Sequence, residues 1–364
     1  MKVKLGDLIE EYSERNVDNK YKPVAVGKYG IRSRESIYTK ELAKDYSKNK
    51  LIYKGTLTVG MGSNQIDIGI LRDDEIYSVS PAYHTYKIKI PNYDYLDYLL
   101  AANNNRMFSI YANRGSRQGK TLDLKRWLTD ELRLHDEKDQ KIIVHTLNTV
   151  KQLISQKEAE LVKLDELVKA RFVEMFNMES YPIKPLSEIA EYWNGLTYKP
   201  SDVSSDGTIV LRSSNIQDMQ LDLNDIVRVK CKINNKKMVK TNDILMCSRN
   251  GSAKLVGKVA LIPELEEMMS FGAFMMIIRS AYYPYLMTYF QLPVFRSQIS
   301  TGTTTINQIT RYMLDKVSLP VPDMAKIKGF KTFVTQVDKS KFAVQKSLEK
   351  TQLLFDSLMQ EYFD

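Results

Sequence analysis

The chain has 364 residues, 43% of them hydrophobic, which predicts a soluble globular protein with two domains of ordinary size and extra helix. Its formal net charge of +9, from 53 basic and 44 acidic residues, favours a polyanionic partner such as nucleic acid. No stretch approaches the roughly 20 apolar residues of a membrane helix, residues 1–4 form no signal-peptide core, and two cysteines are too few for a disulfide framework, so we expect a cytoplasmic protein.

The N-terminal residues 3–12 predict a short amphipathic helix with Leu5, Leu8 and Ile9 facing inward. A similar pattern returns at residues 184–193, where Leu186 matches Leu5. This correspondence is the first sign of an internal repeat.

Short β-rich runs bounded by Gly, Asn, Asp or Pro follow each of these segments and predict strands. The predicted strands are 24–26, 51–53, 56–59, 65–70 and 83–90 in the first half, and 208–211, 226–229, 243–246, 255–262 and 274–278 in the second. Their comparable order supports the repeat.

After its strands each half continues with the same four predicted features. These are a helix (94–111; 285–298), a polar turn (113–121; 300–307), a short helix (122–127; 307–313) and a strand (131–134; 316–319). In the second half the strand ends in Pro-Val-Pro, which predicts a sharp stop before a helix.

Each half then ends in a long helical segment, at residues 137–176 and 323–363, with apolar residues at alternating steps of four and three. That spacing is typical of a coiled-coil seam, and a helix of about 60 Å needs a partner of similar length. Two ordinary bundle helices are the alternative, but they would need further long helices, which the sequence lacks. The predicted seam residues are Ile143, Leu147, Val150, Ile154, Leu161, Leu164, Val168, Val334, Val337, Val344, Leu348, Phe355 and Leu358.

The predicted fold class is therefore mixed α/β (α+β): two β-rich domains and two long helices that form an antiparallel coiled coil, in a pseudo-two-fold repeat. The expected boundaries are 1–135 for the first domain, 136–178 for the central helix, 179–322 for the second domain and 323–364 for the C-terminal helix.

A catalytic site is not evident from the residues. There is no phosphate-binding G-x-x-x-x-G-K-[ST] loop and no glycine loop for S-adenosylmethionine. His84, His135 and His145 have no second metal ligand at useful spacing, and His84 is better explained as a packed or surface residue. We therefore expect no cofactor and no metal on this chain, and any active site on another subunit.

Polar loops beside the predicted strands are the remaining candidates, and they recur at matching places in both halves. Arg can contact guanine bidentately, Asn and Gln can contact adenine, and Ser, Thr and Lys contact phosphate, although Gly, Ser and Asn also make ordinary turns. The candidate DNA-binding residues are Lys54, Ser63, Asn64, Arg114, Ser116, Arg117, Gln118, Lys120, Tyr198, Arg212, Ser213, Asn215, Ser248, Arg249, Asn250, Ser252, Lys254, Thr303 and Thr304.

Two β-rich domains alternating with two long helices resemble the specificity subunit of type I restriction-modification enzymes. The resemblance covers the whole chain and is carried by both long helices and by residues 5–9, 79–83, 119–124, 305–309 and 317–322. The chain departs from the family pattern after Leu134, where a Pro-Val-Pro-like segment is missing.

The resemblance implies a non-catalytic subunit whose two target-recognition domains each recognise half of a split DNA target, with the helix pair setting the gap. It also implies the partners: double-stranded DNA, two modification subunits that methylate adenine, and a motor-nuclease subunit where the system also cleaves DNA for phage defence. S-adenosylmethionine, ATP and Mg²⁺ are expected on those partner subunits. Apolar residues outside the seam, Ile142, Leu167, Phe172 and Phe176, would give the helices a further docking surface.

Two alternatives remain open. The chain could be a coiled-coil scaffold whose β-domains bind protein rather than DNA. A stand-alone nuclease or methyltransferase is the third possibility, and activity without partners would distinguish it.

Overall fold

The computed structural model describes residues 1–37, 45–114, 120–176, 180–299 and 308–363. The chain divides into two compact units. Unit 1 contains Met1–Ala159 and Gln345–Asp364, and unit 2 contains Glu160–Val344. The division falls within the two long helices, so each unit holds part of both.

Unit 1 begins with a strand, one helical turn and a second strand, and then forms a series of short strands before its first long helix. Its elements are β1 (Lys2–Lys4), α1 (Leu5–Leu8), β2 (Ile9–Tyr12), β3 (Val24–Gly27), β4 (Gly30–Ser33), β5 (Lys50–Ile52), β6 (Thr56–Met61), β7 (Ile66–Ile70), β8 (Tyr77–Val79), β9 (His84–Ile88), α2 (Tyr93–Tyr111), β10 (Ala112–Arg114), β11 (Lys120–Leu122), α3 (Leu124–Trp127), β12 (Glu131–Arg133) and α4 (Glu137–Met175).

Unit 2 repeats this opening and this ending. Its elements are β13 (Ile183–Pro185), α5 (Leu186–Ile189), β14 (Glu191–Asn194), β15 (Val203–Ser204), β16 (Thr208–Leu211), β17 (Ile216–Gln217), β18 (Gln220–Leu221), β19 (Arg228–Val229), β20 (Ile244–Cys247), β21 (Val259–Leu261), β22 (Met269–Phe271), β23 (Met275–Arg279), α6 (Tyr283–Tyr289), α7 (Pro293–Gln298), α8 (Arg311–Asp315), β24 (Ser318–Pro320) and α9 (Met324–Phe363).

The sheets of the two units share a core of four antiparallel strands. The order is β2-β9-β6-β7 in unit 1 and β14-β23-β20-β21 in unit 2, where β18 and β17 extend the sheet. In each unit the first strand pairs with the strand that precedes the long helix, β1 with β12 and β13 with β24. The internal repeat that the sequence predicts is therefore present in the strand pairing.

The N-terminal segment corrects one prediction, because residues 3–12 do not form a single helix. Only Leu5–Leu8 are helical, and Ile9–Tyr12 form a strand that pairs with β9, opposite residues that include Tyr86 and Ile88. Leu5, Leu8 and Ile9 are buried, as predicted. The neighbouring strand supplies hydrogen bonds that override the local helical pattern.

The predicted helix 285–298 is likewise wrong in one respect, because it is broken into α6 and α7. Leu292 adopts an extended conformation with φ −76° and ψ 148°, immediately before Pro293 at the start of α7. Proline disfavours helical geometry in the residue before it and lacks an N–H for the preceding turn. The predicted strand 255–262 is shorter too, since only Val259–Leu261 pair.

Within unit 1 the helices cover one side of the sheet. Ile143 and Leu147 of α4 lie in the same core cluster as Leu57 of β6 and Leu99 of α2, and Phe363 of α9 joins it with its ring 5.6 Å from that of Tyr95. Because α4 and α9 contact the same cluster, each of them buries its apolar stripe against α2 and against the other long helix.

Within unit 2 the two long helices run antiparallel. The Phe172 and Phe330 ring centroids are 5.5 Å apart, and Lys341 forms a 2.7 Å ion pair with Asp165. Phe172 and Phe176 are 0% and 1% exposed and pack on Tyr285, so the prediction that they form a docking surface is wrong. They turn towards α6 rather than towards solvent, whereas Ile142 and Leu167 are exposed.

The predicted seam residues are all buried or half-buried, with Ile143, Leu147, Val150 and Val337 the most buried of them. Within the part of the chain that the structure describes, no helix combines the length and apolarity needed to cross a membrane. In those same ranges, no cluster of three His, Cys, Asp or Glu side chains could hold a metal ion.

Candidate nucleic-acid interface

Several of the described candidate residues lie at one end of the sheet in each unit. In unit 1 this end is marked by Val59 of β6 opposite His84 of β9, and in unit 2 by Cys247 of β20 opposite Met275 of β23. The polar stretches that the sequence predicts as candidate loops, 59–64 and 247–252, include the ends of β6 and β20 at these equivalent positions. The equivalent strand pairing thus explains why a polar loop follows the same strand in each half of the chain.

The unit 2 cavity is an open hollow of about 1080 Å³ at this end of the sheet. Five of the candidate residues, Tyr198, Arg212, Ser213, Arg249 and Asn250, line it. They come from three separate stretches of the chain. The fold therefore brings together residues that the sequence could propose only one loop at a time.

Arg249 is the exposed cation of the unit 2 cavity. Its guanidinium carbon lies 5.4 Å from the ring centroid of Phe274, and its backbone N–H donates to the Phe274 carbonyl at 3.0 Å. Within the described ranges no carboxylate lies within ion-pair distance of Arg249. The ring packs against the side chain without neutralising its charge, so the guanidinium donors are available to an acceptor.

Arg212 lies in the same cavity but has a partner, since its guanidinium is 2.8 Å from the carboxylate of Asp225. Its Nε is buried and has no hydrogen-bond partner among the described residues. An anionic ligand would have to compete with Asp225 for this side chain, so Arg249 is the better placed of the two cations.

Asn250 connects two of the loops that form the cavity. Its amide nitrogen is 3.1 Å from the Ser213 hydroxyl, and its Oδ1 accepts the backbone N–H of Ser252 at 2.9 Å. Ser252 and Lys254 are exposed on the same loop. These two hydrogen bonds restrict the conformation of the loop, and a binding surface needs such rigid positioning.

Asn215 and Ser248 are corrections to the predicted site. Asn215 is 0% exposed, and its side chain accepts from the Arg212 N–H and donates to the carbonyls of Asp222 and Asp225, each at 2.8 Å. Ser248 is 2% exposed at the end of β20. Neither can reach DNA in this conformation, because both are enclosed by the fold, and Asn215 acts as a clamp for its turn.

The unit 1 cavity, of about 510 Å³, lies at the equivalent end of the first sheet and includes Lys120 of β11. The Lys120 ammonium donates to the Ser63 carbonyl at 2.6 Å and lies 4.8 Å from the Phe108 ring centroid. Asn64 is exposed on the same loop as Ser63. Lys120, Ser63 and Asn64 are therefore brought together, as the sequence predicts for neighbouring loops.

Lys54 does not join them. It forms an exposed 2.8 Å ion pair with Asp74 and lines a different cavity with Tyr12 and Tyr53. Arg114 is the last residue of β10. Five further candidates, Ser116, Arg117, Gln118, Thr303 and Thr304, lie outside the described residues.

Arg34, Tyr83 and His84 line the unit 1 cavity but are not among the candidate residues that the sequence predicts. His84, predicted as a packed or surface residue, is half-buried and forms a 3.0 Å contact with Glu11, and the Tyr83 hydroxyl donates to the Val26 carbonyl at 3.0 Å. Lys50 donates to the Tyr83 carbonyl at 2.7 Å, and burial lowers the pKa of this lysine. A run of basic residues before Arg34 was the available signal.

In unit 2, Phe274 lines the cavity and is 60% exposed, but it is not among the candidate residues that the sequence predicts. The sequence predicts Phe274 only as the first residue of the strand 274–278. Gly272, between Phe271 and Phe274, was the local signal for a turn between β22 and β23.

Comparison with known proteins finds similarity to type I restriction-modification specificity subunits, in part of the sequence and in the fold. The chain is 28% identical over 177 residues to the type I restriction enzyme StySPI specificity subunit of Salmonella potsdam. That alignment covers 45% of this chain and 38% of the relative, so the chain matches well under half the length of this curated protein. No family model matches the chain.

Two solved structures show the same fold. One comes from a study of complex assembly and conformational transition in a type I restriction-modification system (TM-score 0.62, 15% identity, 99% of this chain and 96% of that one). The other is the specificity subunit from M. genitalium (TM-score 0.54, 14% identity, 100% and 96%). The predicted fold class and the resemblance to this family are confirmed.

Proposed function

We propose that this chain, which has the fold of type I restriction-modification specificity subunits, recognises a DNA target in two parts, one for each unit. The observation that carries the proposal is Arg249, an exposed cation held over Phe274 with no carboxylate partner among the described residues. A fixed guanidinium in a polar cavity matches the bidentate recognition of guanine in the major groove. Tyr198, Ser213 and Asn250 surround it with further hydrogen-bonding groups.

The repeat supports a target in two parts. Each unit presents a cavity at the same end of an equivalent four-stranded sheet, but the side chains differ. Repeated domains suit two half-sites in the way that dimers of DNA-binding proteins do. Because the side chains differ, we propose that the two half-sites have different sequences.

The same proposal assigns the chemistry to other subunits. Two modification subunits would bring S-adenosylmethionine and methylate adenine after flipping it from the stack, and a motor-nuclease subunit would use ATP and Mg²⁺. This chain contributes recognition and placement and is itself non-catalytic. The long helices would set the number of base pairs between the half-sites.

The test of recognition is binding of the full chain, assembled with modification subunits, to duplexes that contain mapped methylated adenines. We expect tight binding that falls steeply with salt and a clear preference over scrambled duplexes. Equal affinity for the two duplexes would refute recognition. An absence of DNA binding in every assembly would favour a scaffold whose β-domains bind protein.

The role of the helices has its own test. Removing two turns from both long helices shortens each by about 10 Å. The preferred gap should then shrink by about 3 base pairs at a rise of about 3.4 Å per step. Mapping methylated adenines in cells that carry the shortened chain gives the gap directly, and an unchanged gap would refute this role.

A further inference from the structure

Residues 20–34 of unit 1 form the most one-sided run of charge near the candidate interface. The run holds the cations Lys20, Lys22, Lys28, Arg32 and Arg34 and no acidic residue. Among the described residues, none of these five forms an ion pair. All except the half-buried Arg34 are exposed.

The centre of this run is the β3–β4 hairpin. Its register pairs Gly27 with Gly30, so that Lys28 and Tyr29 form a two-residue turn, and Gly30 has φ +74°, which glycine adopts without strain. The tip is therefore a tight turn that carries one cation and one aromatic ring.

The base of the hairpin is fixed. Val24 and Val26 are buried in a cluster with Ile52 and Val79, and Ile31 packs against this cluster from β4. The Tyr83 hydroxyl bond to Val26 ties β3 to the start of β9. Because the base of the hairpin is already ordered, binding of a ligand at the tip would carry a smaller entropic cost.

The tip places cations around an exposed ring. Tyr29 is 70% exposed, with the Arg32 guanidinium carbon 5.2 Å and the Lys28 ammonium 5.7 Å from its ring centroid. The ring restricts both cations while leaving their charges uncompensated. Basic residues interleaved with an aromatic ring on a β-ribbon suit contact with a nucleic-acid backbone.

The hairpin is continuous with the unit 1 cavity. Ala25 and Arg34 line that cavity together with Lys120. The Arg34 guanidinium carbon lies 5.4 Å from the Tyr46 ring centroid, and its buried Nε has no hydrogen-bond partner in the described ranges. A duplex seated on the cavity would therefore extend towards the hairpin.

We propose that the β3–β4 hairpin binds the phosphate backbone of duplex DNA beside the half-site recognised by unit 1. Lys28 and Arg32 each contact a phosphate, and Tyr29 holds them in position. The proposal rests on the proposed function and adds a contact that does not depend on sequence. Two cations in the corresponding insertion of unit 2 are, by contrast, already paired with acids, Arg228 with Glu267 and Lys230 with Asp206.

The test is the salt dependence of DNA binding by the double variant K28Q/R32Q in the assembled complex. The slope of log K against log salt should fall by about 1.8, for two phosphates at about 0.9 each. The affinity lost between about 50 and 200 mM salt should then shrink about tenfold, equally for duplexes with a mapped methylated adenine and for scrambled ones.

The matched control is K2Q/K4Q, which removes the same charge from β1. Lys2 and Lys4 line neither the unit 1 cavity nor the separate cavity that Lys28 and Arg32 line. Its slope should stay close to that of the unchanged chain. An unaltered slope in K28Q/R32Q, or an equal change in both variants, overturns the proposal. Circular dichroism of both variants confirms that they fold.

Failure of this inference and failure of the proposed function are distinguishable. If the unchanged chain binds both duplexes equally, sequence recognition fails, while the slope of K28Q/R32Q still tests the hairpin on the scrambled duplex. If K28Q/R32Q weakens only the cognate duplex, the hairpin contacts bases rather than phosphates and the proposal is wrong.

Discussion

Units 1 and 2 share a framework and differ at the surface it supports. The order β2-β9-β6-β7 matches β14-β23-β20-β21, yet the strands inserted after β2 and after β14 are unlike. In unit 1 the insertion includes the β3–β4 hairpin, whose cations Lys28 and Arg32 form no ion pair among the described residues, and in unit 2 Arg228 and Lys230 are in ion pairs. The comparison teaches that the repeat retains the sheet that carries the proposed interface, while the inserted strands change the side chains around it.

The helical parts differ in a second way. Unit 1 packs α4 through aliphatic residues such as Ile143 and Leu147, whereas unit 2 uses a cluster of Phe172, Phe176 and Phe330 with ring centroids 5.0–5.5 Å apart. Aromatic pairs at these distances add to the free energy of burial. Each unit therefore depends on different side chains of the same two helices.

The largest expected effect comes from breaking the aromatic cluster. Phe172→Ala should destabilise unit 2 by about 3–5 kcal/mol, because it removes a fully buried ring and leaves a cavity. Hydrogen exchange should accelerate in β20 and β23 and much less in β6 and β9. The exposed Leu167 is the control, and Leu167→Ala should change little; equal effects would contradict the burial of Phe172.

An ion pair between the buried Asp130 and the exposed Arg106 gives the matching test for unit 1. Asp130, 5% exposed, accepts hydrogen bonds from Arg106 at 2.6 and 2.9 Å and from Tyr111 at 2.6 Å. Asp130→Asn should cost about 1–3 kcal/mol, since the buried side chain loses its charge-assisted hydrogen bonds to Arg106 and Tyr111. Chemical denaturation measures this loss, and the exposed Asp18→Asn is the control. A cost no larger than the control's would show that the pair is dispensable.

The same pair predicts a pH dependence. Burial alone would raise the pKa of Asp130, but the hydrogen bonds and charge of Arg106 and the hydroxyl of Tyr111 outweigh it, so the pKa is lowered. The pair's contribution should be complete above the usual carboxyl pKa of about 3.9 and be lost as the pH falls through the lowered value. Melting temperatures of the unchanged chain and Asp130→Asn should therefore converge in acid. A constant difference across that range would refute it.

Arg249 tests the difference between the two binding surfaces directly. Arg249→Ala should relax the preference in one half-site only, by about 1–3 kcal/mol, because Arg249 belongs to unit 2 alone. Arg249→Lys keeps the charge and removes the planar fork, so it should retain affinity but lose discrimination. Competition binding with single-base variants of each half-site measures both. Equal weakening of both half-sites would assign Arg249 to phosphate instead.

The smallest expected effect sharpens the comparison of the helices. Lys341 is 15% exposed on its side chain and pairs with Asp165, which is 41% exposed, at 2.7 Å. A double-mutant cycle with Asp165→Asn and Lys341→Met should give a coupling of about 0.5–1 kcal/mol, in the range of partly exposed pairs. No coupling would mean that the apolar seam alone sets the helix register in unit 2.

Much of the fold could be predicted because it rests on local patterns. The 4–3 spacing placed both long helices to within a residue or two, and the alternating strands located β6, β7, β9 and β20. The helix predicted at residues 3–12 failed because β9 offered Ile9–Tyr12 a hydrogen-bonded partner from distant sequence. The helix at 285–298 failed for a local reason, the geometry that Pro293 imposes.

The candidate site could be predicted only in part. Arg249 and Lys120 could be proposed because charged residues in glycine-containing loops are a local signal. Asn215 was misassigned, because a buried asparagine that clamps a turn and an exposed one that binds a base look the same in sequence. Arg34 and Phe274 were missed because their place beside the cavities depends on strands far away in the chain.

The amino-acid sequence by itself determined the repeat, the two long helices and the excess of positive charge, since each depends on periodicity or composition. Tertiary structure decided which polar residues are exposed, which of the cations are neutralised and which apolar residues of the helices face a core. The physical reason is that burial and ion pairing depend on which strands and helices become neighbours, and Phe172 and Arg249 acquire their roles only through Tyr285 and Phe274.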